Sequence, residues 1–171
     1  IFFFKDTFPF VIKYGTNRHS YLLSFVLYTL LFAIGMTLLS QITTNLISWV
    51  IDLFEIDNFR FFGFHEGFVI PVTILEAAVF EALLYGSLFF LFNCITVIFF
   101  RFGYLLGAIS IIPFVAMFFF PDILEKIVDI GKLFALGHDN YHVGAYFILY
   151  AIFSLIIWLL TRNASILDRT K

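Results

Sequence analysis

The sequence predicts an all-α protein, a polytopic helical membrane protein whose 171 residues form a single transmembrane domain of four transmembrane helices plus short interfacial helices. Three observations carry that expectation. Hydrophobic residues make up 62% of the chain and charged residues 13%, and mean hydropathy is +1.02, well outside the range of soluble domains. Residues 21–42 contain no charge and are long enough, at about 1.5 Å per residue, to cross a hydrocarbon core of about 30 Å. Further apolar runs recur along the chain, separated by short acid-bearing segments.

Taken in order, residues 21–42 form the first span, in which Ser24, Thr29, Thr37 and Ser40 can bond back to their own helix. From 43 to 66 the character changes. Leu46, Ile47, Trp49, Val50, Leu53 and Phe54 alternate with Ser48, Asp52 and Glu55, the pattern of a helix lying along the membrane surface. Trp49 and the phenylalanines around Arg60 suit the headgroup level. The next apolar region, 68–100, is too long for one straight crossing and is interrupted by Pro71, Glu76 and Glu81. The second span is therefore placed at 78–100, after a broken approach that must be buried in protein or wet. Arg101 makes a turn, and 104–120 forms a shorter third span that Pro113 kinks. Gly103 and Gly107 have the small-xxx-small spacing that lets helices approach closely. Residues 121–141 open with an amphipathic surface helix, and 143–160 is the fourth span.

Charge tests this topology independently. Residues 1–20, Arg101 and the C-terminal tail hold seven Lys/Arg and two acids, whereas the two long loops hold three Lys/Arg and eight acids. Positive charge marks the cytoplasmic side, so both ends are expected there, in a cell membrane. A net charge of −2 with no basic tract gives no footprint for nucleic acid. The one cysteine, Cys94, lies inside an apolar run and cannot form an intrachain disulfide.

Residues 5–20 carry the main functional clue. Thr7 can cap a two-turn helix with Pro9 in its first turn and Gly15 closing it, and Thr16 and Asn17 can cap a second helix starting near Arg18. The pattern Phe8-Pro9-Phe10 with Gly15, Arg18 and Tyr21, followed by a transmembrane run, resembles the cytoplasmic loop of ABC-2-type transporter permeases. That resemblance implies the membrane subunit of an exporter for a peptide, antibiotic or lipid-like substrate. It also implies a separate ATPase subunit and a second permease subunit as partners. Phe8, Pro9, Phe10, Lys13, Gly15 and Arg18 then belong to a coupling helix, with Phe8, Val11 and Ile12 filling a groove on the ATPase. Ile1–Phe4 would be the end of a preceding span.

The residues themselves exclude some chemistry. No Gly-x-x-x-x-Gly-Lys-Ser/Thr loop is present, so ATP hydrolysis belongs to a partner and no enzymatic activity or cofactor is expected of this chain. Glu76 and Glu81 are intramembrane carboxylates and so candidates for a substrate path. They sit about 140° apart around a helix and do not make a close dyad. His138 and His142 have the i, i+4 spacing of a metal pair that needs a third ligand, such as His65 or Glu66. Phe134-x-x-x-His138 also resembles an element of the CAAX-processing and bacteriocin-immunity intramembrane proteases. That family pairs two adjacent glutamates followed by Arg; here Glu76 and Glu81 are separated and no Arg follows.

Overall fold

The computed structural model describes residues 10–15, 17–55, 61–68, 73–117, 119–135 and 141–162. Among them every regular element is helical: a helical turn at 10–13, α1 (Arg18–Leu53), a 3₁₀ turn (Phe64–Gly67), α2 (Ile74–Met117), α3 (Pro121–Lys132) and α4 (Val143–Thr161). Three of these, α1, α2 and α4, are long and apolar enough to cross a membrane. The chain is a membrane protein on that evidence, and its outward faces agree: Leu23, Leu27, Leu31 and Leu38 of α1 are all more than half exposed.

The first helix runs past its expected end. Residues 43–53 do not form a separate surface helix but continue α1 to a length of about 54 Å, because no glycine or proline interrupts the chain between Gly35 and Gly63. The helix stops where Glu55 takes a positive φ of 49°, the left-handed turn that ends many helices. Thr29 and Thr37 do bond back to the carbonyls of Phe25 and Ala33, at 2.9 and 3.0 Å, so these hydroxyls need no outside partner.

The central element is α2, packed between α1 and α4. It breaks at Gly103, where φ 80° and ψ 173° are open only to glycine, and not at Pro113, which sits within helix. Two limbs result, 74–102 and 104–117. Gly107 lets the two limbs approach closely, as its spacing from Gly103 suggests. A side chain at Gly107 would meet the ring of Phe99 at 2.6 Å, so the glycine serves the sharp fold of α2 back on itself.

Helix directions follow from the contacts. Cys94 reaches the carbonyl of Phe153 and Arg101 that of Leu160, each across 59 residues, and a constant separation means that the long limb of α2 and α4 run parallel. Against α1 the numbers move oppositely. Phe32 meets Phe89 edge-on at 4.5 Å, and Met36 lines one cleft with Tyr85, so α1 is antiparallel to both. The bundle therefore has an Ile74 end and an Arg101 end. At the latter, Arg101 donates to the carbonyls of Leu159 and Leu160 at 3.3 and 2.5 Å, placing a cation on the negative end of the α4 dipole.

Between lipid-like surfaces, close packing and internal hydrogen bonds hold helices together more than apolar burial does. The crossing of α2 and α4 shows both. Gly86 lets the Tyr150 ring lie against the backbone, and the Tyr150 hydroxyl donates to the Leu83 carbonyl at 2.5 Å. Phe80, Phe90, Val97, Tyr146 and Ile157 complete the core, with Cys94 packed among them as a free thiol. Amphipathic α3 lies outside this core and leaves Ile123, Leu124, Val128 and Ile130 exposed.

Candidate functional site

Glu81 is the most unusual residue of the core. Placed one turn after Ala77 on the buried face of α2, its side chain is 0% exposed, and its Oε1 lies 2.7 Å from Nδ1 of His65. The imidazole arrives from the 3₁₀ turn. Gly63 makes that approach possible, since a side chain there would meet the His65 ring at 2.6 Å. The turn is closed by its own bonds: Glu66 Oε1 accepts from the Gly63 amide at 3.1 Å, and the Phe68 amide donates to the His65 carbonyl at 2.9 Å. Phe64 stacks on Tyr85 at 5.5 Å, almost parallel, and Phe68 packs on Phe80. These aromatics make an apolar lid over the pair.

The second carboxylate oxygen, Glu81 Oε2, is buried with no hydrogen-bond partner among the described residues. Gln41 Nε2 is also buried and unpartnered, and it continues the α1 stripe of Tyr21, Phe25, Thr29, Ala33 and Thr37 at about the level of Glu81. A buried carboxylate with one bond is costly, and it is the kind of group that marks a functional position inside a membrane protein. Beside it a cleft of about 430 Å³ opens between α1 and residues 61–64.

Glu76 stands apart from this pair. It is exposed in the first turn of α2, where its amide donates to the Thr73 hydroxyl at 3.2 Å. Thr73-Ile74-Leu75-Glu76 has the spacing of a helix-capping box, a signal present in the sequence that assigns Glu76 a place at a helix start. Its charge is felt by Tyr141: burial first, then the Glu76 carboxylate, push that phenol above its ordinary value of 10.0.

Of the residues expected in a coupling segment, Phe8 and Pro9 lie outside the described residues. Phe10 opens the helical turn 10–13 and is 60% exposed, Lys13 is exposed, and Gly15 closes the turn with φ 85°. Arg18 is the first residue of α1. Val11 and Ile12 do not face outward. They pack against the protein's own core, so the outward face is Phe10, Lys13 and Tyr14, with the two rings 4.6 Å apart. Asn17 precedes α1 in extended conformation without a side-chain cap bond.

The metal expectation meets a different arrangement. His138 lies outside the described residues, His142 stands at the start of α4, and His65 is committed to Glu81. Among the described residues no three His, Cys, Asp or Glu side chains gather as a metal site would require. Phe134 of the protease-like element packs edge-on against Tyr146, whose hydroxyl donates to its carbonyl at 3.2 Å. Comparison with family models, with curated proteins and with solved structures found no match.

Proposed function

We propose that this chain is the permease subunit of an ABC-2-like exporter, working beside a separate ATPase and a second permease subunit. The observation that carries the reading is the segment before α1. A turn fixed by Gly15 holds Phe10, Lys13 and Tyr14 outward, while Val11 and Ile12 anchor it to the bundle, and only Thr16 and Asn17 separate it from a helix of 36 residues. Little slack lies between an exposed aromatic knob and a rigid lever, which is what transmitting a displacement requires. On this reading the partner supplies the nucleotide chemistry, for which residues 1–171 hold no phosphate loop.

A fourth crossing belongs to this reading, and the parallel run of α2 and α4 supports it. The long limb of α2 ends at Arg101 and α4 begins beside Phe80, with the Tyr141 ring 5.1 Å from that of Phe80. The chain between them must return to the Ile74 end. Residues 104–117 supply about 21 Å of that path as helix. In this topology both ends of the chain are cytoplasmic and the His65–Glu81 pair lies in the outer half of the membrane, in agreement with the charge distribution.

The test is isolation from native membranes in mild detergent. The reading expects an ATPase subunit to accompany the chain and to be lost on Phe10→Ala. The paired imidazole and carboxylate favour one rival, an intramembrane protease in which Glu81 activates water. A chain that emerges alone and cleaves peptides, with cleavage lost in Glu81→Gln, establishes the rival and ends the permease reading.

A further inference from the structure

The His65–Glu81 bond ties a segment remote in sequence to the middle of a membrane helix, and its charge states are few. With His65 Nδ1–H donating to an ionised Glu81, the pair carries one negative charge in a site where Glu81 is 0% exposed and Oε2 has no donor. One added proton gives either imidazolium with carboxylate or imidazole with carboxylic acid. Both are neutral overall. A second added proton leaves imidazolium beside carboxylic acid, with one positive charge and the bonded carboxylate gone. Uncompensated charge in a dry site is costly, so the pair is at ease with one added proton and strained with none or two.

Among the described residues, the groups around the pair do not supply the missing charge. On the 3₁₀ turn, Glu66 directs Oε1 to the Gly63 amide. On α2 the nearest titratable side chains are exposed Glu76 and the Tyr85 phenol, which lies under Phe64. From the start of α4 and the residue pair before it come the phenols of Tyr141 and Tyr146 and the imidazole of His142. At this level α1 presents Ser40, Gln41 and Thr44, none of which titrates. No lysine or arginine is among these described residues; Arg60 lies outside them.

We propose that His65 and Glu81 form a proton-binding site that works as a latch: with one added proton it fixes residues 61–68 on α2, and with none or two it releases them. The ligand is the proton itself, and the moving part is the turn bearing Phe64, His65 and Phe68, of which Phe64 also lines the adjoining cleft. Release lets water reach the charged pair. The inference does not rest on the permease reading, since the geometry is the same whatever the chain transports.

Hydrogen–deuterium exchange of the purified protein in lipid nanodiscs, across about pH 3 to pH 9, tests it. The Glu66 and Phe68 amides, bonded to Gly63 and His65 carbonyls at 3.0 and 2.9 Å, are the reporters. After correction for intrinsic exchange, protection of 61–68 should be greatest at an intermediate pH and fall on both sides, approaching about tenfold per pH unit, the slope of one linked proton. Glu81→Gln still accepts the His65 bond and is neutral until the imidazole charges, so it should keep only the fall on the acid side. His65→Gln still donates to Glu81 and is neutral when the carboxyl is protonated, so it should keep only the fall on the alkaline side. Glu66→Gln should retain the wild-type shape. Opposite slopes in the two variants cannot come from general unfolding, which exposes the α2 core peptides at every pH. Flat protection in the wild type, or a wild-type shape in both Glu81→Gln and His65→Gln, overturns the latch; should one variant fail to fold, the wild type and the other decide.

Discussion

Replacing Gly86 by alanine should damage the crossing of α2 and α4. The added carbon would stand 2.5 Å from the Tyr150 hydroxyl and 3.0 Å from the ring carbon that bears it. Tyr150 is 8% exposed, stacked on Phe90 at 5.1 Å, and bonded to the Leu83 carbonyl, so it has nowhere to swing. Overpacking of this kind costs about 1–3 kcal/mol. Loss of the interhelical hydrogen bond adds about 0.6 kcal/mol, the average measured between membrane helices. Set against the gain of about 0.5–1 kcal/mol for alanine over glycine inside a helix, Gly86→Ala should cost about 1–3 kcal/mol in reversible unfolding by sodium dodecyl sulfate from mixed micelles, followed by circular dichroism. Tyr150→Phe removes the oxygen that clashes and should cost about 0.6 kcal/mol alone. In the double variant the oxygen contact is gone, so the two costs should fall short of additivity by about 1 kcal/mol. Gly35 is the control, with nothing within 4 Å of an added side chain, and Gly35→Ala should stabilise by about 0.5–1 kcal/mol. A Gly86→Ala variant as stable as wild type, or strict additivity with Tyr150→Phe, would refute the crossing as described.

Other outcomes follow from the same geometry. Arg101→Ala should lower stability by about 1–2 kcal/mol, since it strips the C-terminal carbonyls of α4 of a charged donor, and Arg101→Lys should recover part of that in the same assay. Gly15→Ala should cost about 1 kcal/mol through its φ of 85°; on the permease reading, Gly15→Ala should also weaken co-purification of the proposed ATPase partner, and Lys13→Ala should leave co-purification closer to wild type than Phe10→Ala does. Tyr141 should make stability fall above about pH 10: its folded phenol holds a proton that the unfolded chain gives up at the ordinary value of 10.0. Glu76→Gln should move the Tyr141 phenol down toward that value, read by comparing tyrosinate absorbance titrations of proteins with and without Tyr141→Phe.

Much of the fold was legible because bilayer-length apolar runs leave few alternatives. Residues 143–160 were placed from hydropathy alone, and α4 is Val143–Thr161. The end of α1 was misjudged for an instructive reason: alternating polarity in 43–55 changes what the helix faces, but only a backbone feature stops a helix, and none occurs before Glu55. The break in α2 was legible nearly in place, since the turn expected at Arg101 falls at Gly103, but its dependence on a left-handed glycine was not: glycine is tolerated inside helices too often for sequence to show which use it serves. Glu81 was visible as an expensive residue, but His65 as its partner was not. Sixteen residues separate them, and that pairing depends on the path of the intervening chain. Val11 and Ile12 looked like a docking face for the same reason: local amphipathicity shows which side is apolar but not whether the protein covers it itself.

The parallel course of α2 and α4 has a consequence for biogenesis. Antiparallel α1 and α2 can pair as a hairpin as soon as both have left the ribosome, but α4 can dock only after the whole 103–142 connection has emerged. Until then Leu83 lacks the Tyr150 hydroxyl, Arg101 lacks the carbonyls of Leu159 and Leu160, and the groove waiting for Tyr146 and Ile157 stands open to lipid or to another chain. The nascent protein thus passes through a stage as an incomplete bundle with a charged arginine at its open edge. Quality-control machinery that recognises unpaired polar groups in membranes would meet it during that interval, and a chain cut short before Val143 would remain in that state.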